Sequence, residues 1–209
     1  MKRIWCAIAF TTLVLFQMHG VSAQAVPAYD LRDITVGMRV SDLPDAGYVN
    51  IACAADPKRS LGGWSGWRDC PEDGDKKRLV RFDFDPFSSR EGTVVAGHPV
   101  VLTVLIDDQA VITGLDIVTD PKARLYIRKK AFLFGVQVKS RYGTDGWSCD
   151  ELQPKSDEQP VGGVFLREVC RKLLPGRTLT VSRDLFRRPD QDAKSFVDQT
   201  RVSIRKTDG

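Results

Sequence analysis

The stretch 100-VVLTVLIDDQAVITGLDIVT-119 contains two apolar runs separated by a polar turn at Asp107-Asp108-Gln109. Alternate positions of the first run share one face of a strand, and this face carries Val100, Leu102, Val104 and Ile106. The other face is nearly as apolar, which is typical of a strand in the middle of a sheet. The second run, 111–118, returns after the turn. The stretch therefore predicts a central antiparallel hairpin.

A longer pattern on both sides of this hairpin occurs twice. Gly62-Gly63 precedes Cys70 with the same spacing as Gly162-Gly163 precedes Cys170, and an upstream cysteine, Cys53 or Cys149, accompanies each pair. Alternating runs follow in register, at 79–85 and 100–106 and then at 177–183 and 200–206. The pattern predicts an α+β fold of two similar modules, each with a short helix or helices packed on a small antiparallel sheet. We place the modules at 26–122 and 123–209, with the second copy one strand short.

Helical signals lie between and within these strands. Asp120 followed by Pro121 predicts a helix that runs to about Phe134 and ends at Gly135. Residues 34–43 predict a short opening helix, and 136–142 its counterpart in the second copy. Helical spacing of apolar residues also predicts a helix over 164–174, which Pro175-Gly176 would end.

Residues 1–25 are interpreted as a signal peptide. Lys2 and Arg3 precede an apolar run, and small residues allow cleavage after Ala23 or Ala25. An uncleaved membrane anchor is the alternative, but the apolar run is short for a bilayer. We therefore expect an exported protein, periplasmic or secreted, without stable membrane insertion once the leader is removed.

Cysteine usage agrees with export. Four cysteines follow the leader, and an even number in an oxidising compartment predicts two disulfides. Of the three possible pairings, the repeat selects Cys53–Cys70 and Cys149–Cys170. Zinc is the alternative, although neither pair has the close spacing of a metal knuckle. We predict no metal and no cofactor.

Charge argues against nucleic acid as a partner. Two of the 31 Lys and Arg residues lie in the leader, which leaves 29 against 27 acidic residues. The basic clusters at 76–78, 128–130 and 187–188 are short, so a solvated surface explains them better than nucleic-acid binding. Contact of Arg128-Lys129-Lys130 with anionic lipid is an alternative for that cluster.

One segment resembles a known family. Ile34-Thr35-Val36-Gly37-Met38, with Leu43 beyond it, is similar to the opening of the BamE/SmpA-type module, in which a Gly-Met pair begins short helices packed on a small sheet. The tandem arrangement resembles the related β-lactamase-inhibitor-protein-like fold. The resemblance implies an envelope protein that binds other proteins. This chain differs from the family in lacking a lipid-attachment cysteine at the mature start and a second Gly-Met pair.

The segment Gly62-Gly63-Trp64-Ser65-Gly66-Trp67 is a candidate binding site. Its two indoles would suit a sugar ring or a partner peptide. Alternatively, Trp64 and Trp67 shield the nearby disulfide, as Trp147 beside Cys149 suggests.

A second candidate site lies on the strand 79–85, where Arg81, Asp83 and Asp85 share a face. Paired carboxylates perform acid–base chemistry in glycoside hydrolysis. The alternation instead favours an exposed charge ladder on the solvent side of the sheet.

No catalytic residues are predicted. His98 is the only histidine after the leader, and no free thiol remains once both disulfides form. We therefore predict a non-catalytic binding or adaptor protein of the cell envelope, with another envelope protein as its partner. The alternative is a carboxylate-dependent hydrolase acting on an envelope or extracellular polymer.

Overall fold

The structure is a computed structural model that describes residues 29–86, 93–189 and 195–207. These residues contain ten strands. The predicted signal peptide lies outside these residues. In chain order the strands are β1 (Tyr48–Cys53), β2 (Asp56–Ser60), β3 (Arg78–Phe84), β4 (Val94–Val95), β5 (His98–Ile106), β6 (Ile112–Thr119), β7 (Ser148–Glu151), β8 (Leu166–Leu174), β9 (Arg177–Phe186) and β10 (Val197–Lys206). They form a sheet in the order β2-β1-β3-β5-β6-β10-β9-β8-β7, with β4 paired to β5, and every pairing is antiparallel.

The predicted α+β fold of two helix-and-sheet modules is wrong, because strands from both halves of the chain share one sheet. β10 pairs with β6 from Arg201–Val118 to Arg205–Gly114. The Thr200 N–H also donates to Thr119 Oγ1 at 3.0 Å. Backbone hydrogen bonds therefore run from one half into the other, and the predicted central hairpin β5–β6 lies near the middle of the sheet.

Helix is a minor part of the described chain. The α-helices are α1 (Leu125–Arg128) and α2 (Ala131–Arg141), and 3-10 helices span Val40–Asp42 and Trp64–Asp69. The predicted end at Gly135 is wrong, because α2 continues through it. A Cβ at Gly135 would lie 3.4 Å from side-chain carbons of both Thr200 and Val181, so the glycine lets the helix pack closely on β10 and β9. The predicted opening helix is reduced to Val40–Asp42.

The predicted helix over 164–174 is also wrong, because most of this segment is strand β8. It pairs with β9 from Leu166–Leu185 to Leu174–Arg177, which leaves Pro175-Gly176 as a two-residue turn. Gly176 has a φ of +72°, a conformation that glycine adopts without strain and that suits the position after proline in a type II turn. The turn signal thus closes a hairpin instead of ending a helix.

The core lies on one face of the sheet and draws on both halves of the chain. Its fully buried side chains include Phe82, Leu102, Val104, Leu115, Phe134, Leu179, Val181 and Ile204. Helix α2 covers this core face, since Thr200 Oγ1 donates to the Ala131 carbonyl at 2.7 Å. At the end of the helix, Lys172 Nζ donates to the Tyr142 and Gly143 carbonyls at 2.6 and 3.1 Å. These bonds fix α2 against β8–β10.

A buried ion pair joins the start of the described chain to β9. Arg177 Nη1 lies 2.8 Å from Asp30 Oδ1, and the Asp30 side chain is completely buried. Asp30 also accepts from the Val36 N–H at 2.9 Å and from the Tyr142 hydroxyl at 3.3 Å. The cluster therefore links the first residues described, the end of α2 and the second half of the sheet.

Two buried phenols predict a loss of stability in alkali. Burial and the nearby Asp30 carboxylate raise the pKa of Tyr142 from 10.0 to about 12, and burial with Asp33 does the same for the pKa of Tyr48. Between pH 10 and about pH 12, the unfolded chain has lost phenolic protons that the folded chain keeps. Their contribution to the free energy of unfolding is therefore complete below pH 10 and is lost as the pH rises towards 12.

Urea unfolding across this pH range measures the effect. A protein with Tyr48→Phe and Tyr142→Phe is expected to lose less stability over the same range, whereas Tyr126→Phe, at a site that is 59% exposed, should behave like the parent. An equal alkaline loss in the double variant and the parent would show that these phenols are not its source.

Candidate functional site

The face of the sheet opposite α2 is the candidate site, and we call it the open face. The described helices that pack on the sheet lie on the core face, where α2 meets Thr200 and the 3-10 helix Trp64–Asp69 meets Tyr48 and Phe82. Strand pairing places one open-face residue from each of seven adjacent strands in a continuous row: Arg81, Thr103, Asp116, Ser203, Thr180, Arg171 and Ser148.

A polar cluster occupies the centre of this row, at the β6–β10 pairing. Ser203 Oγ donates to Asp116 Oδ1 at 2.6 Å, and Arg205 Nη2 lies 2.7 Å from the same oxygen. The Arg205 side chain extends across Gly114, where a Cβ would lie only 3.0 Å from Arg205 Cδ. The glycine therefore lets the arginine lie flat on the sheet, with the guanidinium held by Asp116.

The open face differs in chemistry on either side of this cluster. Towards the first half of the chain it is aliphatic, with the cross-strand pairs Leu79–Leu105 and Val101–Val118. Towards the second half, β9 presents a line of hydroxyl groups: Thr178, Thr180 and Ser182. All of these side chains are half-buried, so the surface is broad and partly apolar.

One end of the open face is closed by a loop. The carboxylate of Glu158 accepts from Arg167 Nη1 at 2.7 and 2.9 Å, and Arg167 Nε lies 3.3 Å from Asp184. The Gln159 and Arg187 backbones exchange two further hydrogen bonds. This loop is pinned to β8 and β9, so it bounds the surface at that end.

Both predicted disulfides are confirmed. Cys53–Cys70 joins the end of β1 to the residue after the 3-10 helix Trp64–Asp69, and Cys149–Cys170 links directly paired residues of β7 and β8. They are consistent with an exported protein. The described residues contain no helix long and apolar enough to cross a membrane.

The tryptophans of the predicted binding loop lie in the core. Trp64 and Trp67 are both buried, and the Trp64 ring lies 5.4 Å from that of Tyr48 and 5.2 Å from that of Phe82. The guanidinium of Arg68 lies over the Trp67 ring at 4.4 Å. A ligand would reach these indoles only if the 3-10 helix opened, so their observed contacts are those of packing residues.

The predicted charged residues lie at the side of the open face near β1. Arg81 and Asp83 line a cavity of 340 Å³ with Asn50, whose amide donates to Asp83 at 3.0 Å. Asp85 follows the last residue of β3, and its N–H donates to the Gly47 carbonyl. The structure therefore brings Arg81 and Asp83 together on the open face and leaves Asp85 beyond the strand.

His98 and the open-face hydroxyls lie on opposite sides of the sheet. His98 is buried against Phe134 with its ring centroid 5.7 Å away, and burial lowers the pKa of its imidazole. It therefore cannot serve as a base for Ser203. The one candidate ligand cluster among the described residues, Cys149, Glu168 and Cys170, contains the two sulfurs of a disulfide and so lacks free thiolates.

A cavity of 370 Å³ lies between α2 and the core face, lined largely by apolar residues such as Leu31, Ile117 and Phe134. Its charged lining groups already have partners. Asp30 pairs with Arg177, and the Arg141 guanidinium donates to the Tyr29 carbonyl at 3.0 Å. The cavity therefore offers apolar space with few groups free to orient a ligand.

Comparison with known proteins gives no relative: no protein-family model, curated protein or solved structure matches the chain. The similarity of residues 34–43 to the BamE/SmpA-type module stays a prediction. The central residues of the open face, Ser203 and Arg205, were not predicted as a site, although the alternation in 200–206 indicates that Arg201, Ser203 and Arg205 share a face.

Proposed function

We propose that this protein is a non-catalytic binding or adaptor protein of the cell envelope, which binds another protein through the open face. The observation that carries the proposal is the row of side chains from Arg81 to Ser148 across seven adjacent strands. Such a row provides a broad surface, in contrast to the concave pocket expected for a small molecule.

The composition of the open face supports a protein partner. On the six adjacent strands β3, β5, β6, β10, β9 and β8, the basic residues of the open face are all arginines: Arg81, Arg167, Arg171, Arg201 and Arg205. Protein interfaces are enriched in arginine and depleted of lysine, because a planar guanidinium binds carboxylates and carbonyls in a fixed geometry. The aliphatic pairs beside the central cluster would supply the apolar contact.

The proposed compartment is the periplasm or the exterior of the cell. The two disulfides and the predicted signal peptide support it. The similarity to the BamE/SmpA-type module supports a role among envelope proteins.

Site-specific photo-crosslinking in the native envelope tests this function. A photoreactive residue in place of Thr180, at the centre of the open face, is expected to crosslink one protein stoichiometrically. The matched control replaces Lys206, an exposed residue that alternates to the other side of β10. Equal crosslinking from both positions would contradict the proposed face.

A charge reversal on the open face then tests how much this surface contributes to the binding affinity. Arg201 is exposed on the open face, and Arg201→Glu is expected to weaken binding of the crosslinked partner by about tenfold or more. Arg59→Glu, on the exposed edge strand β2, is the control and should leave binding unchanged. Unaltered affinity of the Arg201 variant, or turnover of an envelope polymer by the isolated protein, would overturn the proposal.

A further inference from the structure

Helix α2 carries apolar side chains on its solvent side as well as on its core side. Phe134 and Val138 are buried against the sheet, whereas Phe132 is 47%, Leu133 39% and Val136 59% exposed. The three exposed residues are spaced i, i+1 and i+4, so they form one stripe along the helix. Packing on the sheet therefore accounts for only one of the two apolar faces of α2.

Every charged residue in the segment around this stripe is basic. Residues 121–144 contain seven Lys and Arg residues and no Asp or Glu: Lys122, Arg124, Arg128, Lys129, Lys130, Lys139 and Arg141. Lys139 forms a salt bridge with Glu168 at 3.3 Å, and Arg128 donates to the Phe196 carbonyl at 3.3 Å. Arg124, Lys129 and Lys130 are exposed, and Lys122 is also exposed but lines the open-face cavity that contains Arg81 and Asp83. The segment thus presents a concentrated positive charge to solvent.

Exposed basic and apolar residues follow one another closely along this segment. Lys129 and Lys130 lie in the turn between α1 and α2, directly before the exposed stripe of α2, and Tyr126 of α1 is 59% exposed. We call this surface, formed by Tyr126, Lys129, Phe132, Leu133 and Val136, the basic-apolar surface.

We propose that the basic-apolar surface docks the protein on an anionic lipid bilayer. A helix with apolar side chains flanked by Lys and Arg lies in the headgroup region, where the apolar groups reach the acyl boundary and the cations meet anionic headgroups. The composition favours lipid over a protein partner, because the exposed cations directly before α2, Lys129 and Lys130, are lysines, which protein interfaces are depleted of, whereas anionic headgroups attract clustered cations of either type.

The position of α2 defines how the protein would lie on the bilayer. The helix packs on the core face, so the basic-apolar surface and the open face are on opposite sides of the sheet. Docking through α2 would direct the open face away from the lipid. The inference is thus independent of the proposed protein binding, and each can fail without the other. It also requires no helix that crosses the membrane.

Vesicle flotation with the mature, disulfide-bonded protein tests the inference. The protein is expected to float with vesicles containing phosphatidylglycerol and to remain at the bottom with phosphatidylcholine vesicles. Phe132→Ser with Val136→Ser, and separately Lys129→Glu with Lys130→Glu, should each lower the partition coefficient by about tenfold or more. All four positions are exposed, so both variants should retain the parent's circular dichroism and melting temperature.

Two matched controls make the result specific to α2. Leu173→Ser removes an apolar side chain that is 78% exposed on the open face, and Lys58→Glu with Arg59→Glu reverses two charges on edge strand β2. Both controls should bind anionic vesicles like the parent. The proposal is overturned if the parent fails to float with anionic vesicles, or if the controls weaken binding as much as the α2 variants. Crosslinking of α2 to an acidic protein without vesicle binding would replace lipid with protein as the occupant.

Fluorescence quenching provides a second measurement. A tryptophan in place of Phe132 should be quenched by brominated phosphatidylglycerol, whereas one in place of Leu173 should not be. Quenching at both positions, or at neither, would contradict docking through α2.

Discussion

Replacing Arg177 with methionine is expected to lower the free energy of unfolding by about 3–5 kcal/mol, because the change leaves a buried carboxylate without its cation. Asp30 has a fully buried side chain, and Arg177 is its 2.8 Å ion-pair partner. The same carboxylate accepts hydrogen bonds from Val36 and Tyr142. Its unpaired charge would therefore destabilise both the first residues described and the end of α2. Urea unfolding at neutral pH measures the effect.

A double variant separates the charge from the contacts. Asp30→Asn combined with Arg177→Met leaves no unpaired charge, while the asparagine can still accept from the Val36 N–H. We expect it to be more stable than Arg177→Met alone. If the single substitution costs only about 1 kcal/mol or less, the pair behaves like an exposed salt bridge and does not join the two halves as described.

Phe134→Ala is expected to destabilise the protein by about 3–5 kcal/mol, because Phe134 fills the space between α2 and the sheet. Its side chain is fully buried and lies beside the His98 ring. Phe132→Ala is a matched control, since it removes the same side chain two positions earlier in the same helix, where it is 47% exposed.

The control should change the free energy of unfolding by no more than about 0.5 kcal/mol, the usual range for an exposed site. Chemical denaturation of both variants measures the difference. Equal destabilisation by the two substitutions would show that the solvent side of α2 is a structural surface and would also weaken the case for lipid docking.

The strands were the part of the fold most accessible from the sequence. Alternation over 79–85, 100–106, 177–183 and 200–206 predicted β3, β5, β9 and β10 to within a few residues, because strands with one buried face have a period of two. The disulfides followed from the repeated spacing of the cysteines. Edge strand β2 was missed, since its sequence DPKRS is fully exposed and carries no apolar alternation.

The helix predictions failed where partner strands override local spacing. In β8, Val169 and Leu173 match a helical stripe, yet pairing with β9 puts them on the open face while Cys170 is buried. Local periodicity also contains no information on which strands of the two halves would pair. The β6–β10 pairing joins residues that are far apart in the chain, and it is this pairing that replaces two modules with one sheet.

The candidate site was predictable only in part. Arg81 and Asp83 share a face of β3, as the alternation indicates, but Trp64 and Trp67, proposed as candidate binding residues, lie in the core. Glycine-rich sequence around tryptophan is compatible with either outcome, because glycines permit both an exposed loop and a tight helical turn. The Asp116–Ser203–Arg205 cluster depends on the long-range β6–β10 pairing, and the alternation in 200–206 indicates only that Ser203 and Arg205 share a face.

The place of β10 has a consequence for biosynthesis. It is the last in sequence of the described strands, yet it lies between β6 and β9 inside the sheet. During synthesis from the N-terminus, β6 and β9 would therefore emerge with unpaired inner edges, which can pair wrongly with other chains. Insertion of the late strand between them completes the hydrogen bonding of both, so a chain interrupted before β10 would be a target for chaperones and proteases.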